Sequence, residues 1–302
     1  MKLIFFGTGG SMPTKDRGLS SIALRRRGEI LLFDCGEGTQ RQMTNTKISP
    51  MKIDAIFITH FHGDHFLGIP GLVQTMSLMD RERLLKIYGP PQTEKRISTL
   101  LRVPTYTLKF DIEIHNLEPG EVIEREGYRI ETARIDHSSP GIAYALVEDQ
   151  RPGKFYPEKA KDLGLEPGPE YSRLQKGESI ELSDGRTVDP SQVLGPPRPG
   201  RKVVYSGDTR PSEEILELSK NADVLIHDGT FASDLEEEAQ DGGHSTVQDA
   251  AKIAKRAGVK QLILTHASPR YTDVSSLERE AQEIFPDSIF ARDLMEYEVE
   301  FD

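Results

Sequence analysis

The chain has 302 residues, 36% of them hydrophobic and 29% charged, so it can bury a sizeable core and global disorder is excluded. Its net charge of −11 excludes nucleic-acid binding through the whole surface, although local basic clusters remain open. The single cysteine, Cys35, can form no intramolecular disulfide, and no run approaches the roughly 18 apolar residues of a membrane helix. We therefore expect a cytoplasmic protein that does not enter a membrane.

The first part of the chain favours strands, because its apolar runs are short and almost continuous, as in strands covered on both faces. Four such runs come first: KLIFFG, SSIALRR, EILLFDCGEG and IDAIFITHFHGDH. Helical spacing of apolar residues then predicts a helix over 69–79, and a second helix is expected over 92–101 after a Gly-Pro-Pro break. From Ile112 onward the pattern predicts four more strands: IEIHNL, EVIEREG, YRIETARIDH and GIAYALVE.

Residues 151–177 differ in composition from the segments before and after them, since they combine prolines, glycines and lysines. This composition predicts a flexible inserted arm in an extended form. The second half of the chain repeats the first, with strands in KVVYSGDT, ADVLIHDGTF and QLILTHASP and a helix over 247–257 that Ser245 or Thr246 begins. Strands that alternate with helices in both halves predict two packed sheets with helices outside. We expect one α/β domain over 1–302, an αββα four-layer sandwich.

Four side chains of the metal-ligand type follow the apolar run 53–58 within six residues, and they are His60, His62, Asp64 and His65. Gly63 permits the tight turn that would bring them to one point. Three further candidates each end a predicted strand or follow one: His137, Asp208 and His266. Imidazole and carboxylate suit zinc, whereas structural thiolate sites need cysteines that are absent here, so we predict a catalytic metal centre.

This pattern resembles that of the metallo-β-lactamase superfamily, in which HxHxDH is followed by a distant His, an Asp and a final His. The resemblance implies the αββα sandwich and two Zn²⁺ ions, for which Mn²⁺ or Fe²⁺ could substitute. It also implies that His60, His62 and His137 hold one ion. Asp64, His65 and His266 would hold the other, and Asp208 would bridge the two.

Longer segments resemble the ribonuclease Z family: FFGTGGSMPTKDRGLSSIAL, FDCGEGTQRQM, HFHGDHFLGIPGL, SGDTRP, HDGT and GGHST. The resemblance implies a zinc-dependent endoribonuclease that removes the 3′ trailer from precursor tRNA. The products would be a 3′-hydroxyl on the tRNA and a 5′-phosphate on the trailer. It further implies a homodimer whose 151–177 arm grips the tRNA away from the active site.

Roles for individual residues follow from the same resemblance. Asp64 is expected to act as general base, and His244, on a glycine-flanked turn, is expected to protonate the departing ribose oxygen. Asp228, which stands where the family has a glutamate, would orient His244. The expected RNA contacts lie in the P-x-K-x-R loop and in the arm: Lys15, Arg17, Lys154, Phe155 and Tyr156.

Two other functions remain open at this point. One is a small-molecule phosphodiesterase or arylsulfatase-like enzyme on the same scaffold, which would have no need of a remote phosphate grip. The other is a catalytically inactive RNA-binding module, which the intact ligand set opposes because charged metal sites are costly to keep.

Overall fold

The computed structural model describes residues 1–301. Its strands are β1 (Lys2–Gly7), β2 (Ser21–Arg26), β3 (Glu29–Phe33), β4 (Ile53–Phe57), β5 (Leu85–Gly89), β6 (Ile112–Asn116), β7 (Val122–Arg125), β8 (Tyr128–Arg134), β9 (Ile142–Glu148), β10 (Ile180–Glu181), β11 (Thr187–Val188), β12 (Lys202–Tyr205), β13 (Val224–Asp228), β14 (Gln261–Thr265), β15 (Ser288–Phe290) and β16 (Glu296–Glu298). They form two seven-stranded sheets and one two-stranded sheet.

The helices are α1 (Thr39–Met43), α2 (Gly63–Phe66), α3 (Ile69–Leu78), α4 (Thr93–Arg102), α5 (Pro157–Asp162), α6 (Pro169–Gln175), α7 (Pro190–Val193), α8 (Glu213–Ser219), α9 (Glu236–Gly242), α10 (Val247–Ala257) and α11 (Ser275–Gln282). Short 3₁₀ turns occur at Pro50–Lys52 and Ser233–Leu235. None of the helices in the described part of the chain is long and apolar enough to cross a membrane.

The first sheet has the strand order β16-β1-β2-β3-β4-β5-β6 and the second has the order β15-β14-β13-β12-β9-β8-β7. Strands β3 to β6 run parallel in the first sheet, and β12 to β15 run parallel in the second. Parallel strands end at one edge of a sheet, so the residues that follow them gather there. This edge carries most of the residues predicted for the active site.

The two sheets pack face to face through aromatic side chains. The Tyr144 ring in β9 lies 5.3 Å from that of Phe57 in β4 and 5.9 Å from that of Phe33 in β3, between ring centroids. The Tyr144 hydroxyl donates to the Ile58 carbonyl at 2.7 Å. Apolar residues of α3 and α4 cover the other face of the first sheet, and α10 packs on β13 and β14 of the second. The predicted αββα sandwich is confirmed.

Helix α10 has the limits that the sequence predicts, and its ends explain why. The Thr246 hydroxyl accepts from the Asp249 backbone N–H at 3.2 Å, and the Asp249 carboxylate accepts from the Thr246 backbone N–H at 3.4 Å, which closes a capping box. Gly258 ends the helix at φ 66°, where glycine is favoured. The chain can therefore turn directly into β14.

The chain forms two compact units, and the larger one holds Met1–Arg125, Ile130–Leu146 and the residues from Arg201 on. The smaller unit consists of Glu126–Arg129 and Val147–Gly200. It is more structured than the extended arm predicted over 151–177 and continues well beyond Gly177. Its apolar residues pack into a core of their own, which consists of Ala160, Leu165, Leu174, Ile180, Val188 and Val193. These residues are spread thinly among polar ones, so the pattern predicted a loop.

Candidate metal centre and active site

The residues predicted as metal ligands come together at the ends of strands. Together with Asp228 and His244, they fall into groups whose potential ligand atoms lie within 4.8 Å of one another: His60, His62, His137 and Asp208; Asp64, His65 and His266; and Asp208, Asp228, His244 and His266. Imidazole and carboxylate groups at this spacing are a donor set for a divalent metal ion. The cluster can therefore hold a divalent metal.

The first group surrounds a buried histidine. His60 follows β4, and its ring centroid lies 4.7 Å from that of His62 and 4.8 Å from that of His137. Nε2 of His137 lies 3.0 Å from Nδ1 of His62. Nε2 of His60 lies 3.7 Å from Oδ2 of Asp208.

The second group lies on the other side of Asp208. Oδ2 of Asp208 is 3.2 Å from Nε2 of His65 and 3.1 Å from Nε2 of His266. Oδ2 of Asp64 is 3.3 Å from Nε2 of His266. Oδ2 of Asp208 therefore lies within 3.7 Å of histidines from both groups.

The partners of the ring nitrogens fix the tautomers of three histidines. Nδ1 of His65 lies 2.8 Å from the Asp34 carboxylate, and Nδ1 of His137 lies 2.6 Å from the Gly243 carbonyl. Both partners can only accept, so each Nδ1 carries the hydrogen. The Thr230 hydroxyl, which donates to Asp228, accepts in the same way from Nδ1 of His266 at 2.8 Å. When such a ring is neutral, its Nε2 carries a free lone pair.

These lone pairs face one another. Nε2 of His65 lies 3.4 Å from Nε2 of His266, a contact that repels when neither nitrogen bears a proton. Within the described residues, the buried atoms Nε2 of His60 and Oδ1 of Asp208 have no hydrogen-bond partner. Buried polar atoms are normally paired, so orphaned acceptors that converge indicate a cation. The residues present fit a divalent metal.

Close backbone approach keeps the ligands in place. A Cβ atom at Gly10 would lie 2.3 Å from Cε1 of His266, and one at Gly243 would lie 2.7 Å from Nδ1 of His137. Gly243 also has φ 80°, so a side chain there would be strained as well as crowded. The backbone N–H of Ser11 donates to Oδ2 of Asp64 at 2.6 Å. The two glycines thus let backbone pack directly against the ligand rings.

Asp228 and His244 form a pair beside the cluster. Oδ2 of Asp228 lies 2.8 Å from Nδ1 of His244, so the aspartate reaches far enough without the additional methylene of a glutamate. Asp228 is fully buried and also accepts from the backbone N–H groups of Thr209 and Thr230 and from the Thr230 hydroxyl. With its lone pairs filled in this way, Asp228 is better suited to orient His244 than to bind a metal.

The environment sets the charge of the histidines. Burial lowers the pKa of His244, but the Asp228 carboxylate outweighs it and brings that pKa to about 9. Burial, with His65 close by, holds the pKa of His60 well below its usual value, so His60 is neutral. Burial also lowers the pKa of His62 and His137. Against the effect of its burial, Asp208 and Asp34 also raise the pKa of His65. His244 is therefore suited to donate a proton, and His60, His62 and His137 are suited to donate lone pairs.

Sequence reasoning missed Asp34, which follows β3. Its buried carboxylate accepts from the Thr59 backbone N–H at 2.8 Å and from the Tyr205 hydroxyl at 2.9 Å, besides contacting His65. A carboxylate that holds the far nitrogen of a ligand histidine fixes the ring and raises its basicity. Asp34 ends an apolar strand, as Asp208 does, and that signal could have found it.

The two residues of the P-x-K-x-R loop that are predicted to contact RNA have different environments. Lys15 is exposed. Arg17 is half-buried and donates to the Thr8 hydroxyl at 2.6 Å and to the Ala291 carbonyl at 2.8 Å. Arg17 thus has internal partners, which gives it a role in shaping the loop.

Within the smaller unit, Phe155 is half-buried and its ring centroid lies 4.8 Å from that of Tyr171. Nζ of Lys159 lies 4.7 Å from the Tyr156 ring centroid, and Nζ of Lys154 lies 6.0 Å from it. Lys154 and Lys159 are exposed. The Phe155 ring therefore belongs to the core of this unit, whereas the lysines around Tyr156 are accessible.

Comparison with known proteins first gives the class. Residues 1–152 match the family model described as Anti-Pycsar protein Apyc1, and residues 175–267 match the one described as Beta-lactamase superfamily domain. The metallo-β-lactamase fold protein YhfI of Bacillus subtilis has the same fold, with a TM-score of 0.71 and 20% identity over 98% of each chain. The chain is a β-lactamase superfamily protein with a metallo-β-lactamase fold.

Closer relatives give the family. Ribonuclease Z of Methanosarcina acetivorans is 49% identical over 302 residues, which cover 100% of this chain and 99% of the relative. Ribonuclease Z of Methanothermobacter thermautotrophicus is 48% identical over 299 residues, or 99% and 97% of the two chains. The structure of human tRNase Z, short form, has a TM-score of 0.73 and 28% identity over 100% of both chains. This chain belongs to the ribonuclease Z family, as the sequence predicted.

Proposed function

We propose that the chain is a zinc-dependent endoribonuclease that removes the 3′ trailer from precursor tRNA and leaves a 3′-hydroxyl on the tRNA and a 5′-phosphate on the trailer. Relatives that share nearly half of its residues over nearly their full length are named ribonuclease Z. The proposal includes a homodimer in the cytoplasm that takes precursor tRNA as its partner.

The observation that carries this proposal is the Asp228–His244 pair beside the histidine and aspartate cluster. A ribose 3′ oxygen is a poor leaving group unless it receives a proton as the P–O bond breaks. Nδ1 of His244 is engaged by Asp228, so Nε2 is the nitrogen free to donate. The pKa of about 9 keeps His244 protonated at neutral pH. A hydrolase whose substrates have good leaving groups would not need such a pair.

The ligand atoms support two zinc sites that share Asp208. His60, His62 and His137 would hold one ion, and Asp64, His65 and His266 would hold the other. Asp208 lies between the two groups, with Oδ2 close to His65 and His266 and with Oδ1 unpartnered. When bound, the two ions would acidify water and neutralise charge on the phosphate.

The side chains supply the proton transfers. Asp64 would accept a proton from the attacking water as the new P–O bond forms, and His244 would give its proton to the 3′ oxygen as the old bond breaks. Asp228 would stabilise the protonated imidazole and hold the ring. A cavity of about 490 Å³ borders His137, within the range of sites that bind small groups such as one nucleotide.

The smaller unit supplies the tRNA contacts in this proposal. It carries nine Lys and Arg against eleven Asp and Glu, so it is not basic as a whole. Its positive charge is concentrated in Arg151, Lys154, Lys159 and Lys161, with Glu158 as the one acid among them. We therefore place the phosphate contacts on this stretch, and we place Lys15 and Arg17 beside the cleaved end of the RNA.

Cleavage of an end-labelled precursor tRNA, with and without a chelator, tests the function. We expect a cut that leaves a 3′-hydroxyl next to the discriminator nucleotide and that stops when metal is removed. If the chain leaves RNA intact and hydrolyses a small phosphodiester in a chelator-sensitive reaction, it is a small-molecule phosphodiesterase instead.

A further inference from the structure

Arg210 lies two residues after Asp208 and joins two loops that carry active-site histidines. Its Nη1 donates to Oδ1 of Asp136 at 3.0 Å, and its backbone N–H donates to the Asp136 carbonyl at 2.8 Å. Its Nε donates to the Gln240 carbonyl at 2.7 Å. One side chain therefore ties the loop before His137 to the end of helix α9.

The end of α9 leads directly into the turn that carries His244. The Gly243 N–H donates to the Gln240 carbonyl at 3.2 Å, and the His244 N–H donates to the Ala239 carbonyl at 2.8 Å. The last carbonyls of a helix lack partners within the helix, and a cation there is favoured by the helix dipole. The Arg210 guanidinium thus binds the end of α9 directly before the turn that carries His244.

Further bonds join the same three segments. Nδ1 of His137 donates to the Gly243 carbonyl at 2.6 Å. The Ser245 hydroxyl donates to the Thr209 carbonyl at 2.7 Å. These two bonds fix the residues on either side of His244. Among the groups named here, only the Arg210 side chain contacts both Asp136 and the end of α9.

We propose that Arg210 is a positioning residue for His244: by fixing Gln240 against Asp136, it sets the turn that presents the imidazole to the departing oxygen. This inference rests on the proposed function, in which His244 is the general acid. Arg210 takes no part in the bond changes. The proton passes from His244 to the ribose 3′ oxygen, the bond from phosphorus to that oxygen breaks, and the water oxygen becomes bonded to phosphorus.

This role predicts selectivity by leaving group. A ribose oxygen needs the proton from His244, whereas p-nitrophenolate is weakly basic and departs without one. Loss of Arg210 should therefore slow RNA cleavage and spare bis(p-nitrophenyl) phosphate. Displacement of a catalytic group by about 1 Å can cost about 100-fold in rate. We expect Arg210→Ala to lower the single-turnover rate on saturating precursor tRNA by about 10- to 100-fold.

The control variant is Arg256→Ala, which removes an exposed arginine whose Nη2 lies 2.8 Å from Oε1 of Glu213 on the surface. It should leave both substrates unaffected. Arg210→Lys keeps the charge but cannot donate to Gln240 and Asp136 from one planar group, so we expect an intermediate loss on RNA. Metal content per chain should match that of the unmutated chain within error, since no ligand is removed, and the rates are compared at a temperature at which each variant is fully folded.

A double variant separates positioning from an independent contribution. Because Arg210 acts through His244, Arg210→Ala should add little to the loss already caused by His244→Ala. An equal loss on RNA and on the aryl diester, a rise in KM for RNA with kcat unchanged, or additive losses in the double variant would each overturn this role. An unmutated chain that leaves RNA uncut would overturn the proposed function itself, and this inference would fall with it.

Discussion

The carboxylate of Asp228 lies 2.8 Å from Nδ1 of His244, and it is completely buried while the His244 side chain is 14% exposed. The carboxylate charge of Asp228 is therefore buried. The His244 imidazole faces the cluster, with its ring centroid 5.0 Å from that of His137. Thr209 and Thr230 supply the other donors to Asp228 and fix its orientation. Asp228 can therefore control both the direction and the protonation of His244.

Replacement of Asp228 by asparagine tests that control. The variant keeps the shape of the side chain and removes its charge, so the pKa of His244 should fall from about 9 towards or below its ordinary value. A general acid must be protonated, so activity is lost as pH rises through this pKa. We expect the alkaline limb of the pH–rate profile for RNA cleavage to move to lower pH in Asp228→Asn. An alkaline limb that stays in place would assign that limb to another group.

The fold could be predicted largely because its strands are short and buried on both faces. The run 261–269 reads as a strand that ends in a polar residue, and the structure has β14 at Gln261–Thr265 with His266 next. Helix α10 has a capping residue and a C-terminal glycine, so its limits could be read from the sequence. Helices α8 and α11 were not predicted, since each is short and mostly polar and is held by packing on α10.

The clustering of these histidines and aspartates could be predicted because HxHxDH is compact and the other predicted ligands end strands or follow them. The residues that hydrogen-bond to this cluster could not be predicted, because their partners are distant in sequence. Tyr205 lies 171 residues from Asp34, which it contacts, and hydrophobicity gives no sign of that bond. Thr230 is an ordinary polar residue in the sequence and gains its role only by lying between Asp228 and His266.

Removal of metal should destabilise the fold. In the absence of a cation, Nε2 of His65 and Nε2 of His266 lie 3.4 Å apart and Nε2 of His60 is buried without a partner. An ion that binds only the folded state adds about 4 kcal/mol at about 1,000 times its Kd. We expect scanning calorimetry to show a lower melting temperature after chelation and its recovery when Zn²⁺ is added. The same temperature in both states would mean that the cluster holds no metal.

Asp64→Ala should affect chemistry and metal binding together. Oδ2 of Asp64 lies close to His65 and His266, so its loss removes one ligand and one proton acceptor. We expect the RNA cleavage rate to fall by at least about 10²-fold, the lower end for loss of a general base, and bound metal per chain to decrease. Asp80→Ala, which removes an exposed carboxylate paired with Lys109, is the control. Normal turnover in Asp64→Ala would refute the assigned role.

Charge reversal on the smaller unit should weaken RNA binding without changing the chemistry. Deletion of 155–172 is a poorer test, because it would remove Ala160 and Leu165 from the core of that unit. The exposed residues Lys154, Lys159 and Lys161 can each be changed to glutamate without touching that core. We expect the triple variant to raise KM for precursor tRNA and to reduce its dependence on salt, since fewer phosphates are neutralised.

The matched control reverses Arg173, Lys176 and Arg186, which lie in the same unit outside this basic stretch and are also exposed. Hydrolysis of bis(p-nitrophenyl) phosphate should be the same in both variants and in the unmutated chain, because the single phosphate of this diester is the one that is cleaved and none is left to bind the lysines. If the control weakened RNA binding equally, RNA binding would depend on the total charge of the smaller unit and not on this basic stretch. Loss of small-diester turnover in the triple variant would show that the stretch supports the fold of the active site, which would remove the reason to assign it to RNA.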